Sequence, residues 1–234
     1  MLWYKGWFET RIKLAMSLGF LGLLLSFVHF HLGPTHGGKN PGLAGVISGS
    51  NVSFLAVVCV WLAGAGIATQ AAFQATKGLH GSTLFTLSLP VSRLRLLAVR
   101  AGLGWLEVAA SIVLLCCGMW VAYPPLRESA TAVEMVGYAG TLMACGSAVY
   151  FLSVLLATFL EDQWRMIGTM VAFFGMAWLS IKNSLPVSID IFRAMGKGSP
   201  LLAHAMPWTP MAFALGLGMV FFLAALKVVQ AREY

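Results

Sequence analysis

Residues 136–160 read VGYAGTLMACGSAVYFLSVLLATFL, with no charged side chain among them. A helix needs about 20 such residues to cross the hydrocarbon core of a bilayer. Only helices and closed barrels satisfy every backbone N–H and C=O there. Working outward, comparable apolar runs cover 14–32, 46–73, 96–122, 166–181 and 211–228, which makes six spans in all. The run at 14–32 is too long for a signal-peptide core. The following Gly33-Pro34-Thr35-His36-Gly37-Gly38 does not resemble a cleavage segment, so this run is read as retained. The run at 166–181 is short, and Lys182 extends it by snorkelling to the interface.

Composition agrees with this reading. Of 234 residues, 59% are apolar and 10% are charged, whereas soluble domains carry about 25% charged residues. A water-soluble enzyme and a disordered chain are thereby excluded. Four cysteines are too few for a disulfide scaffold. The net charge of +7 is not a nucleic-acid signal, because no run of basic residues offers a solvated face to phosphate.

The positive charges orient the chain. Lys5, Arg11, Lys13, Lys77, Arg93, Arg95, Arg100, Arg165, Lys227 and Arg232 fall on one side of the six spans. Lys39, Arg127, Lys182, Arg193 and Lys197 fall on the other, a ratio of ten to five. The positive-inside rule then places both termini in the cytoplasm. The expected fold is an all-α integral membrane protein with six transmembrane helices, forming a single domain over 1–234. It has a cytoplasmic loop at 74–95 and an extracytoplasmic loop at 182–210.

Residues 1–13 read as an amphipathic interfacial helix. Lys5, Glu9 and Lys13 share one stripe, and Trp3 and Trp7 lie opposite at the headgroup level. The segment serves either as a plain membrane anchor or as an elbow that transmits movement to the bundle.

The loop between the second and third spans holds the most specific pattern. Ser82 is placed to cap a short helix with Leu84, Phe85, Leu87 and Leu89 on its apolar side. Pro90 disfavours helix at Leu89 and suits the opening of the next helix. The result is an apolar-faced stub joined to a spanning helix, with Arg93 and Arg95 at the headgroups. Gly81, Thr83, Leu84, Leu87, Ser88, Leu89, Pro90, Val91, Ser92 and Arg93, followed by Leu96, Leu97 and Arg100, resemble the loop motif of ABC-2-type transporter permeases. The tail Gln230-Ala231-Arg232-Glu233-Tyr234 is similar to that family's basic-then-acidic end. The chain departs from the pattern at Lys77 and His80, where acidic residues are common, and at Ser82, inserted between Gly81 and Thr83. Ser-Leu-Pro-Val-Ser also recurs at 184–188, followed by Ile189-Asp190, so location and Arg93 carry the match rather than the pentapeptide.

The resemblance implies the permease subunit of an export system in the bacterial cytoplasmic membrane. It implies an ABC ATPase partner that receives the loop at Gly81, Thr83, Leu84, Leu87, Leu89, Pro90, Val91, Ser92 and Arg93. It further implies a homodimer, or a heterodimer with a second permease, because six spans make half a transporter. The sequence has no Gly-x-x-x-x-Gly-Lys-Ser/Thr phosphate loop, so ATP belongs on the partner and no cofactor is expected on this chain. Two other readings remain: a membrane-embedded accessory or scaffold subunit, and an uncharacterised integral membrane enzyme. The second lacks a Gly-x-Ser-x-Gly or His-Glu-x-x-His motif.

Glu107, inside the third span, is the candidate for a translocation path, because a carboxylate there costs at least about 2.5 kcal/mol if charged. The alternative is a protonated side chain bonded to a neighbouring helix, with Gln70 as partner. Small residues at Ala56, Gly64, Ala68 and Ala72, and at Gly140, Ala144 and Ala148, form stripes that fit packing within one subunit as well as dimerisation. His29 and His31 point to nearly opposite sides of a helix, and Cys59, Cys116, Cys117 and Cys145 lack metal-ligand spacing, so no metal site is expected. Ile189, Phe192 and Met195 mark a short outer helix with Asp190 and Arg193 on its polar side. It is either part of an external gate or a surface connector. An apolar cavity with few charges would suit a lipid-like or amphipathic cargo.

Overall fold

The computed structural model describes residues 11, 14–23, 51–63, 93–160 and 162–231. Among them the chain is helical, with no strand. The helices are α1 (Leu14–Leu23) and then α2 (Val52–Leu62), α3 (Arg93–Ala122), α4 (Pro124–Ser129), α5 (Ala132–Ala157), α6 (Asp162–Ile181), α7 (Ile191–Met195), α8 (Pro200–Ala203) and α9 (Trp208–Ala231). Four of these, α3, α5, α6 and α9, are long and apolar enough to cross a membrane. The protein is a membrane protein. Of the expected first and second spans, α1 and α2 are the described parts, and 24–50 and 64–92 lie outside the described residues. Of the expected interfacial helix only Arg11 is described, exposed and helical.

α5 is the core of the bundle. It touches α2, α3, α6 and α9 as well as the short α7 and α8. Its sequence is apolar all round, which suits a helix surrounded by other helices. Gly146 brings it close to α2, since an added Cβ there would meet Leu55 at 3.1 Å. Gly218 of α9 likewise lies against Ser147 and Phe151. By contrast Gly140, in the small-residue stripe, has open space where its Cβ would be. In the expected stripe Ala144 and Ala148 are buried, and the glycine at which α5 approaches α2 closely is Gly146 rather than Gly140.

α6 shows the opposite pattern. Trp164, Ile167, Val171, Phe174, Trp178 and Ile181 are exposed at alternating spacings of three and four, which is one helix face. Trp at both ends of an apolar stripe is the pattern of a lipid-facing helix anchored at two interfaces. Lys182 lies with its ammonium 5.0 Å from the Trp178 ring centroid.

At the N-terminal end of α5 the short connections fold back on the bundle. α4 opens on a proline at its first turn, as the missing N–H permits. Asp190 caps α7 by accepting from the Arg193 amide at 2.9 Å, and its other oxygen accepts from the Ser180 hydroxyl at 2.8 Å. The short helix expected here exists as α7, but Asp190 is buried at its start rather than exposed on a polar side. Burial is tolerable because both carboxylate oxygens have donors.

α2 is the least expected element. A continuous helix over 46–73 was anticipated, yet α2 ends at Leu62, and Ala63 is extended with φ −66 and ψ 138. The Leu62 carbonyl lies close to Gly104 of α3, about 16 Å along α3 from Arg93. α2 therefore stops about three turns short of the end of its neighbour, inside the bundle.

Candidate functional site

A helix that ends inside a bundle leaves its last carbonyls without intrahelical partners. The chain meets this need with a cation. Arg165, in the first turn of α6, is 1% exposed. Its Nη1 donates to the Val60 carbonyl at 2.8 Å, to the Ala63 carbonyl, and to Ser153 Oγ at 2.9 Å. One guanidinium thus ties the end of α2 to α5 and α6. The placement is favourable twice over, because a helix C-terminus carries partial negative charge and the guanidinium is weakly hydrated for a cation. Thr169, one turn on, donates to the Arg165 carbonyl at 2.8 Å.

A second polar contact lies beside it. The Tyr150 hydroxyl of α5 donates to the Ala101 carbonyl of α3 at 2.8 Å. Gly104 leaves the room, since a Cβ there would collide with the Tyr150 hydroxyl. The Tyr150 ring is flanked by Trp105 and Phe151, with centroids at 5.4 and 5.2 Å.

Glu107 follows Gly104 by one turn of α3, about 21 Å from Arg93 along a 30-residue helix. It is 4% exposed, and Ser111 donates its hydroxyl to the Glu107 carbonyl at 2.9 Å. Glu107, Tyr150 and Arg165 are thus all buried around the point where α2 meets α3 at Gly104, and together they make a buried polar layer of the bundle. At the other end of α2, buried Asn51 donates to the Tyr138 hydroxyl at 3.1 Å, so polar contacts to the rest of the bundle tether both ends.

Among the expected site residues, Glu107 is in this layer. Arg93 is the first residue of α3. Gly81, Thr83, Leu84, Leu87, Leu89, Pro90, Val91, Ser92 and Gln70 lie outside the described residues. Sequence reasoning missed Arg165, which was counted among the ten orienting cations. It is enclosed by protein instead of facing headgroups. Ser153, Arg165 and Thr169 were the available signal, being polar residues within or bordering apolar runs. Cys59, Cys116 and Cys145 are buried and Cys117 is exposed. Among the described residues no three His, Cys, Asp or Glu side chains converge as metal ligands would.

Comparison with known proteins finds no matching family model, no matching curated protein and no matching solved structure.

Proposed function

We propose that this chain is the membrane subunit of an ATP-driven exporter of the ABC-2 type, moving its substrate by alternating access. A separate ATPase supplies the energy by pressing on the segment from Gly81 to Arg93. The observation that carries this reading is the joining of that motif to α3. Arg93 opens a single 30-residue helix, about 45 Å long, that runs to the buried layer and past it. A stiff helix passes a push at its first turn to Glu107 without an intervening hinge. α2 and α3, which flank the motif in sequence, meet at Gly104, so movement of α3 is felt at the capped end of α2.

In this reading both termini are cytoplasmic, six helices form half of a transporter, and a second permease completes it. Glu107 lines the substrate path or carries a proton within it.

The test is co-purification followed by transport. The chain is expected to retain an ABC ATPase, and Leu89→Asp or Pro90→Ala is expected to weaken that complex or uncouple hydrolysis from export. Normal assembly and normal export after replacement of the whole apolar face at Leu84, Leu87 and Leu89 would sink the proposal. Glu107→Gln is expected to alter export or its pH dependence while leaving assembly intact. If both stay unchanged, Glu107 is not on the path.

A further inference from the structure

The start of α3 and the end of α9 lie side by side and enclose an open groove of about 760 Å³. Leu94, Ala98, Val220, Leu223 and Ala224 supply apolar walls, while Arg95, Lys227 and Gln230 stand at one end. The spacing makes this a graded surface. Val220, Leu223, Ala224 and Lys227 recur at three and four residues on one face of α9. The groove therefore passes from apolar to cationic over about 10 Å along that helix. Arg95 and Lys227 are both exposed.

We propose that this groove binds an anionic phospholipid, with the phosphate between Arg95 and Lys227, Gln230 donating beside it, and an acyl chain along Ala98, Leu223 and Val220. Basic pockets between membrane helices at the headgroup level recognise anionic lipids by this combination. Free phosphate would leave the apolar walls unused. A second copy of this chain is a poor occupant, because a two-fold axis along the bilayer normal keeps each residue at its own depth and gathers Arg95 and Lys227 of both subunits at one level. A contrasting hollow of about 590 Å³ between α3 and α5 includes Cys117, Trp120, Met135, Gly140 and Met143 in its lining, with no charged residue. Any acyl chain fits there, and nothing selects the headgroup.

The experiment needs neither ATPase nor transport, so its outcome is independent of the export reading. Full-length protein in detergent is equilibrated with phosphatidylglycerol or phosphatidylcholine, and retained lipid is counted by native mass spectrometry. The wild type is expected to prefer phosphatidylglycerol. Arg95→Gln with Lys227→Gln is expected to weaken that binding about 30-fold, roughly fivefold per cation. Ala224→Phe, which fills the groove and keeps the charges, is expected to lower it as well, whereas Gly140→Leu in the uncharged hollow leaves it unchanged. Circular dichroism and gel filtration establish that each variant is folded. Equal retention of the two lipids by the wild type, or undiminished binding in the double variant or in Ala224→Phe, overturns the proposal. So does an equal loss with Gly140→Leu. Efficient disulfide cross-linking between copies through Leu223→Cys would also overturn it, by placing a second chain in the groove.

Discussion

The C-terminus of α2 and the N-terminus of α5 present the same backbone problem in opposite surroundings. α2 ends inside the bundle, where Arg165 takes up its carbonyls at full burial. α5 begins at the surface. There Thr131 accepts from the Glu134 amide at 3.3 Å, and the Glu134 carboxylate accepts from the Thr131 amide at 2.7 Å. His204 adds a contact at 2.6 Å to that carboxylate, with its own side chain 61% exposed. Water can replace any member of the second set, but nothing nearby can replace the guanidinium in the first. Loss of a group should therefore cost most where the bundle is driest.

The comparison can be broken most directly at Arg165. Arg165→Met is expected to lose about 3–5 kcal/mol, because the α2 carbonyls and Ser153 are left without their buried donor. Thermal unfolding in detergent measures this, and a midpoint equal to wild type would show that the cap is dispensable. Arg165→Lys should recover part of the loss, since an ammonium keeps the charge but not the planar fork. Next in size is Gly104→Ala, at about 1–3 kcal/mol from the collision with the Tyr150 hydroxyl. Adding Tyr150→Phe should return much of that cost, and strict additivity of the two changes would refute the steric account.

Smaller effects are expected at the exposed end. Thr131→Ala is expected to cost about 1 kcal/mol, the usual value of a helix cap. His204→Ala should shift the midpoint less than Thr131→Ala does. Raising the salt concentration should leave the Arg165 effect in place, because a buried site is screened little. A His204 effect as large as that of Arg165 would reverse the order on which the comparison rests.

Much of the helical plan was legible in the sequence. The runs 96–122, 166–181 and 211–228 each lie within a helix of the structure, and 136–160 matches α5 but overruns its end at Ala157, with ends differing by about four residues or fewer. Boundaries moved outward because polar residues enter the first turns, as at Glu134 in its capping box and Asp162 at the start of α6. The break at Ala63 was not legible. Ala63 and Gly64 look like ordinary small residues of a spanning helix, and local preference does not report whether a cation waits to cap an early end. The enclosure of Arg165 was not legible for a related reason. A cation beside an apolar run is normally a headgroup residue, and only neighbouring helices determine whether it is enclosed.

The sequence by itself determined that this is a helical membrane chain with few, unevenly distributed charges, because the bilayer penalises unpaired backbone and charge whatever the packing. It also supplied the loop pattern at Gly81 to Arg93. Only the tertiary structure decided that α5 is the core, that α2 ends early, and that Glu107, Tyr150 and Arg165 share a buried layer. Hydropathy measures a residue's preference for lipid or protein over water. It cannot distinguish lipid from protein, and that distinction is made by which helices touch.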